Sequence, residues 1–232
     1  MWKPLHPLYN LYRRWFGSYC LLDPRPIQMS APYTFYLPSE ERRIGVMPGD
    51  DVKLIIQSKP QGLKYDAERM WVRVREVTPS GLCGELNNEA FDMPQLELGH
   101  SIRFQAFHII DIDTDRTLPD ELPRKEYWDR CIVDRCVLDD GVPVSFIYRE
   151  EPDLAQPDDK YPDSGWRVRG DYRDISEEEL ESRDVTYIAL GKVLNVDDSW
   201  LDLIDSPIGS AFLRNFETGQ YEPEEPDLSN DN

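Results

Sequence analysis

Histidine and cysteine are scarce in this chain, with three of one and four of the other in 232 residues. His6, His100 and His108 share no ligand spacing with one another or with Cys20, Cys83, Cys131 and Cys136, so no metal site is expected. Cys131-x4-Cys136 is too isolated to supply four ligands, and the scattered cysteines suit buried thiols in a reducing compartment rather than a disulfide framework. Glycine-rich phosphate loops are missing as well: Gly165, Gly170 and Gly191 are too sparse to cradle a nucleotide, and no cofactor is expected. No local motif marks a serine or cysteine nucleophile, which leaves His108, inside an apolar run, as a structural histidine. Asp111-x-Asp113-x-Asp115 opens like a calcium loop, but Arg116 stands where the turn needs glycine and Leu122 where the loop needs its closing glutamate. No apolar run approaches the ~20 residues that span a bilayer, and the start has no unbroken apolar signal core. The expectations are a protein without a membrane partner and a cytoplasmic location.

Positive charge is also in deficit. The chain carries 26 Lys and Arg against 45 Asp and Glu, a formal net charge of −19. Phosphate binding needs a dense basic face, so no nucleic-acid partner is expected and a basic protein partner is the natural complement. The acidity is uneven: residues 114–232 hold 13 basic and 31 acidic side chains, whereas residues 1–28 hold 4 and 1. Hydrophobic residues at 40% and aromatics at 11% are enough for a folded core.

Residues 1–32 read as a basic, aromatic N-terminal extension. It is either an arm or an upstream extension of a protein that starts at Met29. Leu5, Leu8, Tyr12 and Trp15 recur at helical spacing beside Arg13 and Arg14, as in a surface anchor, but Pro4 and Pro7 oppose a regular early helix. Residues 33–113 alternate like short strands, with VKLIIQ, MWVRVREV, LCGEL and SIRFQAFHIIDI separated by Gly and Pro turns, which predicts a small antiparallel sheet or barrel. The incomplete alternation of MWVRVREV predicts a twisted or bulged strand. Residues 114–126 read as a charged, proline-bearing linker. Residues 127–216 predict a compact α+β domain. It opens with a β-hairpin across Asp139-Asp140-Gly141, continues through an acidic loop at 151–163, and has a helix capped by Ser176 with Glu179 three residues on. Residues 217–232 carry six acidic and no basic side chains and read as a disordered acidic tail. The fold class expected overall is α+β, a β-rich N-terminal domain followed by the α+β domain.

Several ordered motifs occur in the second half. Tyr148, Arg149, Glu150 and Pro152 end a strand; Asp163, Ser164, Gly165, Trp166 and Arg167 precede Gly170 and Asp171. Leu190, Val193, Leu194, Asn195 and Asp197 follow, and then Pro207, Gly209, Ser210, Phe212 and Arg214. In this order they resemble the immunity protein 33 family of bacterial polymorphic toxin systems over about residues 131–216. Residues 66–104, with ERMWVRV, GELNNEAF and LGHSIRF, are similar to a second bacterial domain of unknown function, which implies a small β domain. The first resemblance implies a protein without chemistry of its own that binds and neutralises a cognate toxin.

An immunity protein needs a complementary surface, and an acidic one steers a basic toxin into encounter. The candidate contact residues are Tyr148, Arg149, Glu150, Asp153, Asp158, Asp159, Asp163, Trp166, Arg167 and Asp171. Trp166 suits core or turn packing more than contact, and Arg149, Glu150, Arg167 and Asp171 serve equally as an ion-pair cluster holding the SGW turn. Two alternatives remain: a small hydrolase using a carboxylate pair such as Glu150 and Asp171, and a housekeeping protein-interaction module. Nothing in the sequence fixes an oligomeric state.

Overall fold

The computed structural model describes residues 6–119, 121, 123–154 and 158–224. The chain divides into two compact units: residues 1–30 with 35–123, and residues 31–34 with 124–232. It is mostly sheet with few helices, an α+β fold.

Unit 1 begins with α1 (His6–Phe16), β1 (Ser18–Leu21), α2 (Arg25–Ser30) and α3 (Glu40–Ile44), followed by β2 (Asp51–Lys59), β3 (Ala67–Thr78), β4 (Gly81–Leu86), β5 (Ser101–Phe104) and β6 (Asp111–Asp113). The strands form one antiparallel sheet in the order β1-β2-β3-β4-β5, with β6 also paired to β2, and the sheet curls into a nearly closed barrel. Alternation builds its core, because Val52, Leu54 and Ile56 of β2 and Met70, Val72 and Val74 of β3 all point inward and are wholly buried. The register of β3 against β4 shifts between Val74 and Glu76, a bulge that sets Val77 opposite Leu82.

Three expectations are corrected in this unit. The N-terminal segment is no appendage: β1 pairs with β2 from Ser18↔Lys59 to Leu21↔Ile56, and Arg13 of α1 is wholly buried. Pro7 sits in the first turn of α1, where its missing N–H would have had no helical partner anyway. Residues 101–112 are broken by a 3₁₀ turn at Ala106–His108, where His108 Nδ1 accepts the Gln105 N–H at 3.0 Å. The stretch expected as a linker is built in as far as Pro119, with Leu118 buried, Thr114 Oγ1 donating to Asp50 and Arg116 paired to the same carboxylate.

Unit 2 contains β7 (Arg130–Asp134), α4 (Arg135–Asp139), β8 (Val144–Arg149), β9 (Asp163–Gly170), α5 (Glu177–Glu181), β10 (Val185–Ala189), α6 (Leu190–Leu194), β11 (Ala211–Arg214) and β12 (Tyr221–Pro223). The sheet order is β10-β7-β9-β8-β11-β12, antiparallel except for β7 beside β9. The expected hairpin across Gly141 is therefore absent. Gly141, at φ +69°, follows the end of α4, and β7 runs parallel to β9, a pairing no tight turn can make. The core joins Val133, Ile147, Trp166 and Val168 of the sheet to Leu190, Val193 and Leu194 of α6 and to Trp200. Trp166 and Trp200 meet edge to face at 5.6 Å, and their indole N–H groups donate to the carbonyls of Ile204 and Asp197, each at 3.1 Å.

Ser176 Oγ accepts the Glu179 N–H at 3.2 Å, as the cap pattern predicted. Residues 31–34 join this unit, since Asn195 Nδ2 donates to Thr34 Oγ1 at 2.7 Å and Asn195 Oδ1 accepts the Tyr33 N–H at 3.0 Å. Gly191 is required beside them: a Cβ there would stand 2.4 Å from the Tyr33 carbonyl oxygen. The acidic tail is corrected in part. Tyr221–Pro223 form a strand on β11, and Tyr221 Oη donates to the Val144 carbonyl at 3.0 Å, whereas residues 225–232 lie outside the described residues.

Candidate functional site

The acidic loop leaves β8 at Glu150 and returns into β9 at Asp163, and the local sequence of β9 fixes both ends. Ser164 Oγ donates to the Arg130 carbonyl of β7 at 2.7 Å. Gly165 adopts φ +81°, and a Cβ there would stand 2.2 Å from the Glu150 carbonyl oxygen, so only glycine lets β8 and β9 close on each other. Trp166 then points into the core and Arg167 to the opposite face of the sheet.

Arg167 is almost wholly buried and binds three carboxylates. Nη1 and Nη2 donate to the two oxygens of Asp163 at 3.0 Å each, Nη2 donates to Asp153 at 2.9 Å, and Nε pairs with Glu150. One guanidinium thus ties the first residues of the loop to its last. Burial works against the Arg167 charge, but Asp163 and Glu150 outweigh it and raise its affinity for the proton. Burial likewise opposes charge on Asp163, yet Arg167 and the Gly165 N–H hold its carboxyl below the ordinary range. With three anions around one cation, the cluster keeps an excess of negative charge at its exposed side, where Asp153 and Glu150 reach solvent.

The structure divides the ten sequence candidates. Trp166, Arg167 and Asp163 are buried, filling the core or the clamp. Arg149 also works inward: Nε donates to the Ser164 carbonyl at 3.0 Å and Nη1 to the Ser206 carbonyl at 2.7 Å. Tyr148 is half-buried and stacked on Phe146 at 5.5 Å; burial first, then the nearby Glu150 charge, pushes its hydroxyl pKa up. Asp158 and Asp159 are exposed on the loop between the clamped ends, and Asp153 is exposed beside the clamp. Residues 155–157 lie outside the described residues.

Asp171 accepts from Arg173 Nε and Nη2 at 3.0 and 2.7 Å, and that pairing holds its carboxyl below the ordinary range. Glu150 and Asp171 therefore serve different arginines, and Asp171 is kept ionised rather than poised as a general acid.

The remaining motif residues are also structural. Asp197 accepts the Val144 N–H at 2.8 Å and Arg214 Nη1 at 3.1 Å. Gly209, at φ +89°, donates its N–H to the Arg149 carbonyl at 2.7 Å. Sequence reasoning missed Asp134. It is wholly buried and accepts from Arg169 Nη1 at 2.8 Å, the Gly170 N–H at 3.0 Å and Arg183 Nη1 at 3.4 Å. Its only signal was a charged residue directly after the apolar run Cys131-Ile132-Val133. Among the described residues, no three His, Cys, Asp or Glu side chains converge as a metal cage requires, and no helix is long and apolar enough to cross a membrane. The four cysteines are free, and burial pushes the Cys131 thiol well above its ordinary pKa.

Residues 131–224 match the family model described as the immunity protein Imm33 domain. The matched segment covers β7 through β12 and so includes the clamp, the acidic loop and the C-terminal strand. No curated protein and no solved structure matches the chain.

Proposed function

We propose that this chain is an immunity protein that binds a cognate protein toxin and neutralises it by occlusion, through the acidic loop of unit 2 and without chemistry of its own. The observation that carries the reading is the clamp within the matched immunity domain. Arg167 fixes Glu150, Asp153 and Asp163, and the loop between them presents Asp158 and Asp159 to solvent. Loop ends held in place before encounter lose less conformational entropy on binding, and the negative charge between them attracts a basic toxin over long range. The contact residues on this reading are Glu150, Asp153, Asp158 and Asp159, with Tyr148 at the edge; Asp171, beyond the far end of β9, stands apart from them, and the buried motif residues hold the surface in place rather than touch the toxin.

The test is protection. Cells that express a candidate toxin, identified by co-purification with the full chain, should resume growth when the chain is co-expressed, and the two proteins should form a complex that high salt dissociates. Undiminished toxicity with both proteins present would overturn the reading.

A further inference from the structure

The geometry of α1 points to a self-association surface: we propose that a second copy of this chain docks on its outward face. The helix is amphipathic in reverse. At 100° per residue, Leu8, Leu11, Tyr12, Trp15 and Phe16 share an arc of roughly 140°. That arc faces solvent, with exposures of 65%, 53%, 52%, 73% and 75% in the same order. The opposite arc holds Tyr9, Asn10 and Arg13, and it faces the protein. A helix on a folded domain ordinarily turns its apolar stripe inward.

The reversal is fixed, not a matter of loose docking. Arg13 Nη1 donates to Asp92 Oδ1 at 2.8 Å and to Asn10 Oδ1 at 3.2 Å, Nη2 donates to Ser58 Oγ at 3.1 Å and also to the Asp92 carbonyl, and Tyr9 Oη donates to the Gln61 carbonyl at 2.9 Å. Tyr12 and Phe16 stack at 5.6 Å and extend the stripe as one surface.

Area and charge favour a second copy as the occupant. At about 200 Å² per large side chain, the exposed fractions amount to roughly 600 Å² per copy, at the upper end of the range for the largest apolar patch on a monomer. Two copies together would remove roughly 1,200 Å², the lower bound of a specific interface. A chain of net charge −19 repels its own copies, and residues 1–28, with four basic side chains and one acidic, form the stretch where that repulsion is weakest. Beside the stripe, Arg14 and Glu97 pair at 2.6 Å, one charge of each sign that a two-fold contact can also pair between copies. A shallow cavity of about 330 Å³ lined by Leu11, Arg14, Trp15, Pro94, Gln95 and Glu97 lies beside the stripe, a setting for a buried aromatic anchor. An anionic bilayer would meet the same stripe but also the acidity of the remaining chain.

Sedimentation velocity of the full chain from about 1 to about 100 μM reads the outcome directly. A dimer that persists in high salt is expected, with Leu8→Glu and Trp15→Glu each weakening it by at least about tenfold. Their melting temperatures should stay close to that of the parent, because both side chains are mostly exposed; Trp15→Ala serves as the milder variant should either fail to fold. A monomer throughout the range, or a dimer that the substitutions leave intact, overturns the proposal. So does cosedimentation of the parent, but not of Trp15→Glu, with phosphatidylcholine–phosphatidylserine vesicles, which would assign the face to a membrane.

Discussion

Arg167→Ala is expected to destabilise unit 2 by about 3–5 kcal/mol, the range for removing one partner of a buried ion pair. The loss exceeds the side chain's own packing because Asp163, itself without exposed side-chain surface, would keep its charge with no cation beside it. Arg167→Lys should recover only part of the loss, since an ammonium cannot donate in parallel to both Asp163 oxygens while also reaching Asp153 and Glu150. The clamp also titrates. The folded pKa of Asp163 lies below its unfolded value, so its contribution is complete above about pH 5 and is lost as pH falls through the folded pKa, below about pH 4. Arg167→Ala should flatten that acid limb of the stability profile. Thermal melts across pH 3 to 7 would show it, and a variant melting within about 0.5 kcal/mol of the parent would mean that the carboxylates are solvated independently of Arg167.

Arg13→Ala should destabilise unit 1 by a comparable amount, about 3 kcal/mol or more. Asp92 receives Arg13 on one carboxylate oxygen and the N–H groups of Lys64 and Tyr65 on the other, so the pair ties α1 to the loop between β2 and β3 and to the segment before β5. Burial opposes the Asp92 charge, and Arg13 with those N–H groups keeps its carboxyl below the ordinary range. Hydrogen exchange should show lost protection in β1 and β2 with unit 2 little changed. If residues 1–28 were a dispensable extension, the substitution would move stability by no more than about 0.5 kcal/mol.

The strands of unit 1 are legible because their burial follows a period of two. Met70, Val72 and Val74 alternate cleanly, and Val77 breaks the pattern where the bulge lies. The Ser176 cap is legible because its partner is three residues away. Pairing between distant residues is not. Nothing near β7 announces that it runs parallel to β9 rather than back along β8, and nothing near Arg13 announces Asp92, 79 positions later. A basic, proline-bearing, aromatic stretch reads as an appendage until its arginine is seen to be buried. The motif order located the segment that the family model matches, but residue type alone does not separate two roles within it. Trp166 and Arg167 are residue types that suit an interface and a core equally, and only their burial separates them from Asp158 and Asp159.

The most direct test of the acidic loop's part in the encounter is the association rate of the full chain with the toxin that it protects against, measured at rising ionic strength for the parent and for Glu151→Lys/Asp158→Lys/Asp159→Lys, whose exposed side chains stand outside the clamp. The parent rate should fall steeply with salt, and the variant should associate roughly tenfold or more slowly at low salt with a flatter dependence. Equal rates and equal salt slopes would remove the loop from the encounter and contradict the account.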